Sequence, residues 1–564
     1  MIKMQKNKIF FSVFLYLILS SVLFSFSFPG FVFESGFPLF AWFCFTPLFF
    51  ALDRMEFEFS FLYGFFYGLV SYSLLVYWLY KYSPFVFFLA VYFYAICYGL
   101  LFIFLKLPLF VFHKTSWIIQ CLILLSFEYL KTLGFLGFSY GVSGYTQYKC
   151  TPLIKIADIT GVYGVSCLVI FSSGICFSIL RFLYLNHDLK RRIRYESHNS
   201  NYTPVQFEIE LADLKERAGF RVFVISAIVF LFVLIIVFAY GVFSRSDVSS
   251  YDSVEICAVQ HNEKAREDGV NVYAENITLL TRLTDDALSL YPETKIVVWP
   301  ETAVTPSIIY QFYNGKDSRR ISIINSLLKY FDARNCTFVI GNYHRDINAE
   351  KMEPKDFNSA LVFTPGKNVL PPKPEMYFKQ KLVPLSEEFP FENHFIKVKE
   401  IMINLGASFW SKGSESKIFE SSGLKFSTPI CFEDTFPHIC RDMARKGSLC
   451  FINLTNDSWG ESVACQNQHL SMAVFRSVEN KVPTVRSATS GQTCVIYPDG
   501  KIMKEAVPFS ASFIVSSVPL MPSSKGTFYT RFGDLFAYVI LLLTGVLLII
   551  AGIKGIIKLW QNRY

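Results

Sequence analysis

Charged residues are scarce in this chain: Asp, Glu, Lys and Arg make up 17% of its 564 residues, against about a quarter in an ordinary soluble protein. Cysteine pairs are missing as well. None of the 13 cysteines stands in a CxxC pair or at a metal-like spacing from histidine, which argues against a zinc ribbon or a thioredoxin-type redox site. His261, His344, His438 and His469 match no ligand spacing either and read as core or surface histidines, so neither a metal nor another cofactor is expected. The net charge is +8, yet no basic face interleaved with stacking aromatics occurs, and nucleic acid is not an expected partner.

What is abundant is apolar surface: 52% hydrophobic residues, 18% aromatics and 61 Phe. Residues 9 to 183 and 533 to 553 are mostly long apolar runs, whereas residues 251 to 515 have the mixed composition of a globular domain. About 20 apolar residues cross a hydrocarbon core. Ile9 to Phe28 reads as a first span rather than a signal peptide, followed by Phe37 to Leu52, Phe57 to Tyr80, Phe85 to Leu105, Ser116 to Leu130, Thr160 to Tyr184 and Arg221 to Phe243. The expected organisation is a bundle of seven helices over residues 1–243, a globular domain over 251–520 and an eighth span over 533–553.

The excess positive charge sits beside these runs. With the amino terminus inside, Arg54, Lys106, Lys114, the basic loop of residues 186–219 and Lys554, Lys558 and Arg563 share the cytoplasmic side, as the positive-inside bias requires. The globular domain then follows the seventh span on the outer face. The loop reads as solvated, with a short helix at Glu208 to Ala218. Near the outer ends of spans five and six, Glu128 to Lys131 and Gly137 to Gln147 suit lipid headgroups, domain docking or an aromatic belt equally.

From Tyr251 onward the periodicity changes. Val254–Gln260, Lys295–Trp299, Thr337–Gly341, Ser359–Phe363, Leu449–Asn453, Thr493–Tyr497 and Ser512–Ser517 read as short buried strands, and Val270–Leu290, Ser318–Phe331 and Val463–Asn480 as helices. Strands alternating with helices predict a layered α/β domain. Seven cysteines lie in it (Cys257, Cys336, Cys431, Cys440, Cys450, Cys465 and Cys494). An odd number leaves at least one thiol without an internal partner.

The stretch Ser427-Thr428-Pro429-Ile430-Cys431-Phe432-Glu433-Asp434 stands out. A β-type run from Leu424 ends at a thiol with two carboxylates just beyond it and a helix-like segment from Thr435. The backbone N–H groups opening that segment are expected to lower the thiol pKa and to hold an oxyanion. Alone, the segment fits a packed core cysteine as well. Two other strand-like stretches change the balance: Ile296 to Glu301 ends in a carboxylate, and Tyr377 to Pro384 brings Lys379 to a similar edge. If the three converge, Glu301 can move a proton, Lys379 can stabilise a tetrahedral oxyanion with the Phe432 N–H, and Cys431 can carry an acyl group as a thioester.

Trp299-Pro300-Glu301, Lys379 before Leu382-Val383-Pro384, and Cys431-Phe432-Glu433 resemble the Glu-Lys-Cys triad of the nitrilase superfamily. Combined with the membrane half, with Gly144 to Gln147, Leu382 to Glu387, Asn456-Asp457-Ser458-Trp459, Gln468-His469 and Arg486 to Gly491, the chain is similar to the apolipoprotein N-acyltransferase family. The resemblance implies a multi-span helical bundle carrying an α/β/β/α sandwich in a bacterial inner membrane, the sandwich on the periplasmic face. It implies an acyl donor, a membrane phospholipid, and an acceptor, the amino-terminal diacylglyceryl-cysteine of a lipoprotein. Glu387, Glu433, Phe432 and Asn456 are implied as supporting or substrate-binding residues, Glu387 and Glu433 by orienting Lys379 and the substrate amine. Three departures stand out: Phe432 where Tyr is common, Leu385-Ser386 in place of Phe-Gly, and no tryptophan between His261 and Tyr273. The competing readings are a membrane-tethered amidase acting on a soluble amide, and a transporter or scaffold with a degenerate outer domain. Transport is disfavoured because the spans hold almost no charge.

Overall fold

A computed structural model describes residues 2–112, 114–196, 209–210, 219–244, 251–263, 268–346, 355–389, 394, 396–404, 409–520 and 526–561. Among these, five helices are long and apolar enough to cross a membrane: Ile9–Ser27, Pro84–Val111, Val162–Arg191, Phe220–Phe243 and Leu535–Gly555. The other apolar runs give shorter helices. The run from Phe37 to Leu52 becomes Pro38–Ala41 and Thr46–Arg54. Pro47 lies in the first turn of the second helix, where its missing N–H does no harm, so the helix restarts there. The runs from Phe57 and Ser116 give helices of 16 and 15 residues, Ser60–Leu75 and Ser116–Leu130, about 24 and 22 Å long at 1.5 Å per residue.

The short helix Ser60–Leu75 is compensated by close packing on Pro84–Lys106. A Cβ on Gly64 would stand 2.4 Å from the carbonyl oxygen of Tyr98, and one on Gly68 2.8 Å from Cα of Ala95. Glycines four apart open a face on which backbones meet, as membrane helices need where lipid competes for every apolar side chain. The helix beginning at Val162 continues to Glu196 and takes in the first part of the expected loop. The helix expected from Glu208 to Ala218 lies outside the described residues except Ile209 and Glu210.

The globular part holds two six-stranded sheets. The strands are β1 (Ser253–Gln260), β2 (Ile296–Val298), β3 (Thr337–Arg345), β4 (Asp356–Phe363), β5 (Glu375–Phe378), β6 (Phe419–Ser421), β7 (Leu424–Ser427), β8 (Cys450–Thr455), β9 (Thr484–Ala488), β10 (Cys494–Ile496), β11 (Ile502–Glu505) and β12 (Ser512–Pro519). The first sheet runs β12-β1-β2-β3-β4-β5 and the second β11-β10-β9-β8-β7-β6. Strands β1 to β3 are parallel, and so are β7 to β9.

Side chains alternate across a strand, and here both faces are buried. Ile256, Ala258, Ile296 and Val298 of the first sheet pack with Phe426, Ile452, Leu454 and Val485 of the second. Their neighbours Cys257, Val259, Val297 and Trp299 pack instead on Leu280, Leu283, Ile324 and Leu327 of the helices Val270–Leu290 and Ser318–Asp332. This is why these strands read as continuous apolar runs. The second sheet is covered by Pro437–Arg445 and Val463–Asn480, completing an α/β/β/α sandwich.

Helix Val463–Asn480 lies between the sandwich and the membrane helices, and every residue from Ala464 to Asn480 is buried. Leu470, Val474 and Val478 share one core with Cys494 and Ile496 of the sheet and with Tyr145, Ile154 and Val162 of the bundle. Polar contacts fix the seam. Trp78 Nε1 donates to Gln468 Oε1 at 3.1 Å, Arg476 Nη2 to the Tyr145 hydroxyl at 3.1 Å and the Val162 N–H to Glu479 Oε1 at 3.2 Å. The segment 137–147 is part of this docking: Ser139 Oγ donates to the Thr435 carbonyl at 2.8 Å. Glu128 accepts from the Ser143 N–H at 2.9 Å, and Lys131 Nζ donates to the Tyr140 and Gly141 carbonyls.

Candidate active site

Glu301 lies just beyond β2, Lys379 follows β5, Cys431 follows β7 and Asn456 follows β8. Three of these positions are carboxyl ends of parallel strands, where open sheets leave a crevice. Lys379, 1% exposed, reaches two carboxylates: its Nζ lies 3.0 Å from Glu301 Oε1 and 2.8 Å from Glu387 Oε1. Burial works against the ammonium, but Glu301 and Glu387 outweigh it and hold Lys379 charged well above its ordinary value. Glu301 also accepts from Asn358 Nδ2 at 2.7 Å, and Glu387 from the Val383 N–H at 2.8 Å. Glu301, Glu387, Lys379 and Asn358 therefore form one hydrogen-bonded unit.

Cys431 opens the 3-10 turn Cys431–Thr435 with φ +48°. Thr302 and Leu385 also have positive φ, +48° and +67°. Such backbone costs roughly 1–3 kcal/mol per residue and persists only where the surroundings impose it. All three line a single cavity of about 520 Å³ shared by Glu301, Lys379, Cys431, Glu387, Phe432 and Asn456. Its lining also includes apolar residues of the membrane helix Pro84–Lys106, Val86, Leu89 and Phe93, and Phe138 of the segment that follows Ser116–Leu130. At the rim, the Tyr82 hydroxyl donates to Ser386 Oγ at 2.5 Å, and Tyr82 meets the Trp459 ring edge-on. The Ser386 departure thus ties the bundle to the segment carrying Glu387.

The thiol is the reverse of what its turn predicts. Burial pushes its pKa well above the ordinary value, the Glu301 charge adds to this, and Lys379 offsets only part. Opening a 3-10 turn does not outweigh desolvation. The direction favours the thiol over the thiolate at Cys431.

Glu433 stands apart from the other expected site residues. It is fully buried, outside the lining of the cavity, and its carboxylate accepts from the N–H groups of Ile430 (2.7 Å) and Gln380 (2.6 Å) and from the Tyr377 hydroxyl (2.8 Å). It pins the Cys431 turn to the strand end bearing Lys379. Burial raises its pKa to about 7 despite these donors. All 13 cysteines are free, and no cluster of metal-ligating side chains occurs among the described residues.

Two features escaped sequence reasoning. Gly341 of β3 carries no signal of its own, yet a Cβ there would come within 2.3 Å of the Pro300 carbonyl and 2.6 Å of Glu301 Cα. Gly341→Ala is therefore expected to displace Glu301 and to cost roughly 1–3 kcal/mol, measured by unfolding of the full chain. The second is a buried ionic ring behind Cys431. His469 lies 2.5 Å from Asp434 and 2.7 Å from Asp457, and Arg486 reaches the same two carboxylates. Burial and Arg486 lower the affinity of His469 for a proton, but Asp434 and Asp457 outweigh them and raise its pKa to about 9 from 6.5. The stability this provides is complete below about pH 6.5 and lost as pH rises through about 9. The melting temperature is expected to decline across that window, and a flat profile would contradict the ring's charge state.

Residues 20–175 match the family described as the apolipoprotein N-acyltransferase N-terminal domain, and residues 257–521 the family described as carbon-nitrogen hydrolase. The chain is 37% identical to apolipoprotein N-acyltransferase 1 of Treponema denticola, over 94% of this chain and 95% of that one. It is 36% identical to apolipoprotein N-acyltransferase 1 of Treponema pallidum, over 97% and 96%. Among solved structures, Saccharomyces cerevisiae Nit3, of branch 10 of the nitrilase superfamily, aligns with 49% of this chain and 92% of its own at 19% identity and a TM-score of 0.34. With nearly full-length identity of this order and both halves matched, the chain belongs to the apolipoprotein N-acyltransferase family.

Proposed function

We propose that this protein transfers an acyl chain from a membrane phospholipid to the α-amine of the diacylglyceryl-modified amino-terminal cysteine of a lipoprotein, through a thioester on Cys431. The observation that supports the reading is the shared cavity: Glu301, Lys379 and Cys431 line it together with apolar side chains of the membrane helix Pro84–Lys106. A soluble site would have to extract an acyl chain at about 0.8 kcal/mol per CH₂. A cavity lined in part by a membrane helix avoids most of that cost.

Glu301 takes the Cys431 proton as sulfur attacks the ester carbonyl carbon. The carbonyl oxygen becomes an oxyanion beside Lys379 Nζ and the Phe432 N–H. Collapse breaks the ester C–O bond, and Glu301 returns the proton to the departing lysophospholipid hydroxyl. In the second half the lipoprotein amine attacks the thioester, its proton passes to Glu301, and the amide forms as the sulfur leaves and is reprotonated. Glu387 keeps Lys379 aimed through both halves, and Asn456 contributes to the wall that receives the substrate. In this reading residues 1–243 and 533–553 are the bundle, residues 251–520 the catalytic domain. The charge bias supports a multi-pass protein of a bacterial inner membrane with that domain periplasmic.

The test offers full-length protein phospholipid vesicles and a diacylglyceryl-cysteine peptide. N-acylated peptide and lysophospholipid are expected in equal amounts. Release of ammonia from small amides, with no acyl transfer, would replace the reading with that of a tethered amidase.

A further inference from the structure

The four charged residues of the ring come from four different segments: Asp434 from the turn opened by Cys431, Asp457 from the loop after β8, His469 from the helix Val463–Asn480 and Arg486 from β9. All are buried, between 0% and 7% exposed. Each carboxylate meets both cations: Asp434 takes His469 Nε2 at 2.5 Å and Arg486 Nη1 at 2.7 Å, Asp457 takes His469 Nδ1 at 2.7 Å and Arg486 Nη2 at 2.6 Å. Both imidazole nitrogens therefore face carboxylate oxygens, and only a doubly protonated ring donates from both. Arg486 Nη2 also lies 2.9 Å from His469 Nδ1, but an unprotonated Nδ1 would turn its lone pair on Asp457 at the shorter distance. With His469 protonated, two negative and two positive charges cancel.

A buried ion pair or ring seldom stabilises a fold more than apolar packing of the same volume would. This one touches the reacting region: Asp457 and His469 line the cavity with Cys431, and Asp434 belongs to the Cys431 turn. We propose that Asp434, Asp457, His469 and Arg486 form a charge-balanced positioning ring, which fixes the nucleophile turn and keeps the two carboxylates from opposing ionisation of the Cys431 thiol. The proposal rests on the reading of Cys431 as nucleophile. Asp457 already acts against the thiolate, after burial and Glu301, while Lys379 favours it. Cys465 of the same helix and Tyr140 of the bundle also feel this region, and Cys494 of β10 lies beside Arg486. None of the three is a charged partner at neutral pH, because burial raises each of them.

The four residues touch no reacting atom, so the readout is the nucleophile itself. Full-length protein in detergent is alkylated with iodoacetamide across a pH series, without lipid, and the Cys431 peptide is quantified by mass spectrometry. His469→Gln leaves the ring with a net negative charge and is expected to move the alkylation midpoint of Cys431 upward by roughly one pH unit. His469→Gln combined with Asp434→Asn restores neutrality and is expected to bring the midpoint back toward the unmodified protein. Asp434→Asn alone is expected to leave it in place or move it down, which keeps the sign testable if a His469 variant fails to accumulate. Unchanged midpoints in the His469→Gln protein, a double variant no closer to the original, or an upward shift in Asp434→Asn would overturn the proposal. A merely structural ring would slow alkylation in every variant without ordering the midpoints by charge. Because no substrate is used, the expected order without acyl transfer would sink the assigned reaction and leave the ring standing.

Discussion

Cys431→Ala is expected to abolish acyl transfer, by on the order of 10⁴-fold or more, as loss of the atom that carries a covalent intermediate does. The fold should survive. Cys431 lines the cavity rather than the packed core between the sheets, alanine keeps its Cβ, and alanine meets the same steric demand at the positive φ as cysteine does. Equal melting temperatures with no N-acylated peptide would be the expected pair of results. Residual transfer above about one part in a hundred would mean that the amine attacks the phospholipid ester directly. In that case Glu301 and Lys379 would carry the reaction without a thioester.

Lys379→Met should be worse for the protein as a whole. Its ammonium lies 3.0 Å and 2.8 Å from two carboxylates with essentially no solvent contact, so removing it leaves Glu301 and Glu387 facing each other unpaired. Breaking a buried pair in this way costs roughly 3–5 kcal/mol. Loss of an oxyanion partner costs about another 10²- to 10³-fold in rate. Glu301→Gln separates the two effects. The amide still accepts from Lys379 and Asn358 but cannot take the thiol proton, so stability should change little while transfer falls by about 10²- to 10⁴-fold. If Lys379→Met proved as stable as Glu301→Gln, the carboxylate pair would have to be separated or solvated in solution.

Three residues far apart in sequence were legible because each ends a strand-like apolar run. Ile296 to Val298 is buried throughout, and Leu424 to Ser427 is buried except for Lys425, and chemistry placed at the ends of such strands meets at one edge. Asn358 was not legible. It reaches Glu301 only because β4 and β5 are antiparallel in a register pairing Ser359 with Phe378, which sets Asn358 beside Lys379. Glu433 was implied as an active-site carboxylate by the family resemblance, not by its neighbours. In a tight turn, however, its side chain folds back onto the Ile430 N–H. His469 and Arg486 carry charge, and a sequence assigns buried charge to the surface unless the partners are known. The membrane half illustrates a different limit. Apolar runs mark which residues face lipid or core, but helix ends follow local chemistry such as Pro47, so run length overstated several helices.

The most direct measurement is the mass of the Cys431 peptide after the full-length protein is incubated with phospholipid vesicles, acid-quenched without any acceptor and digested. The account predicts one added acyl chain on that peptide, removed by hydroxylamine and discharged by a diacylglyceryl-cysteine peptide at the rate of overall transfer. An unmodified Cys431 peptide, or an acyl group that stays on the sulfur when the acceptor amine is supplied, would contradict it.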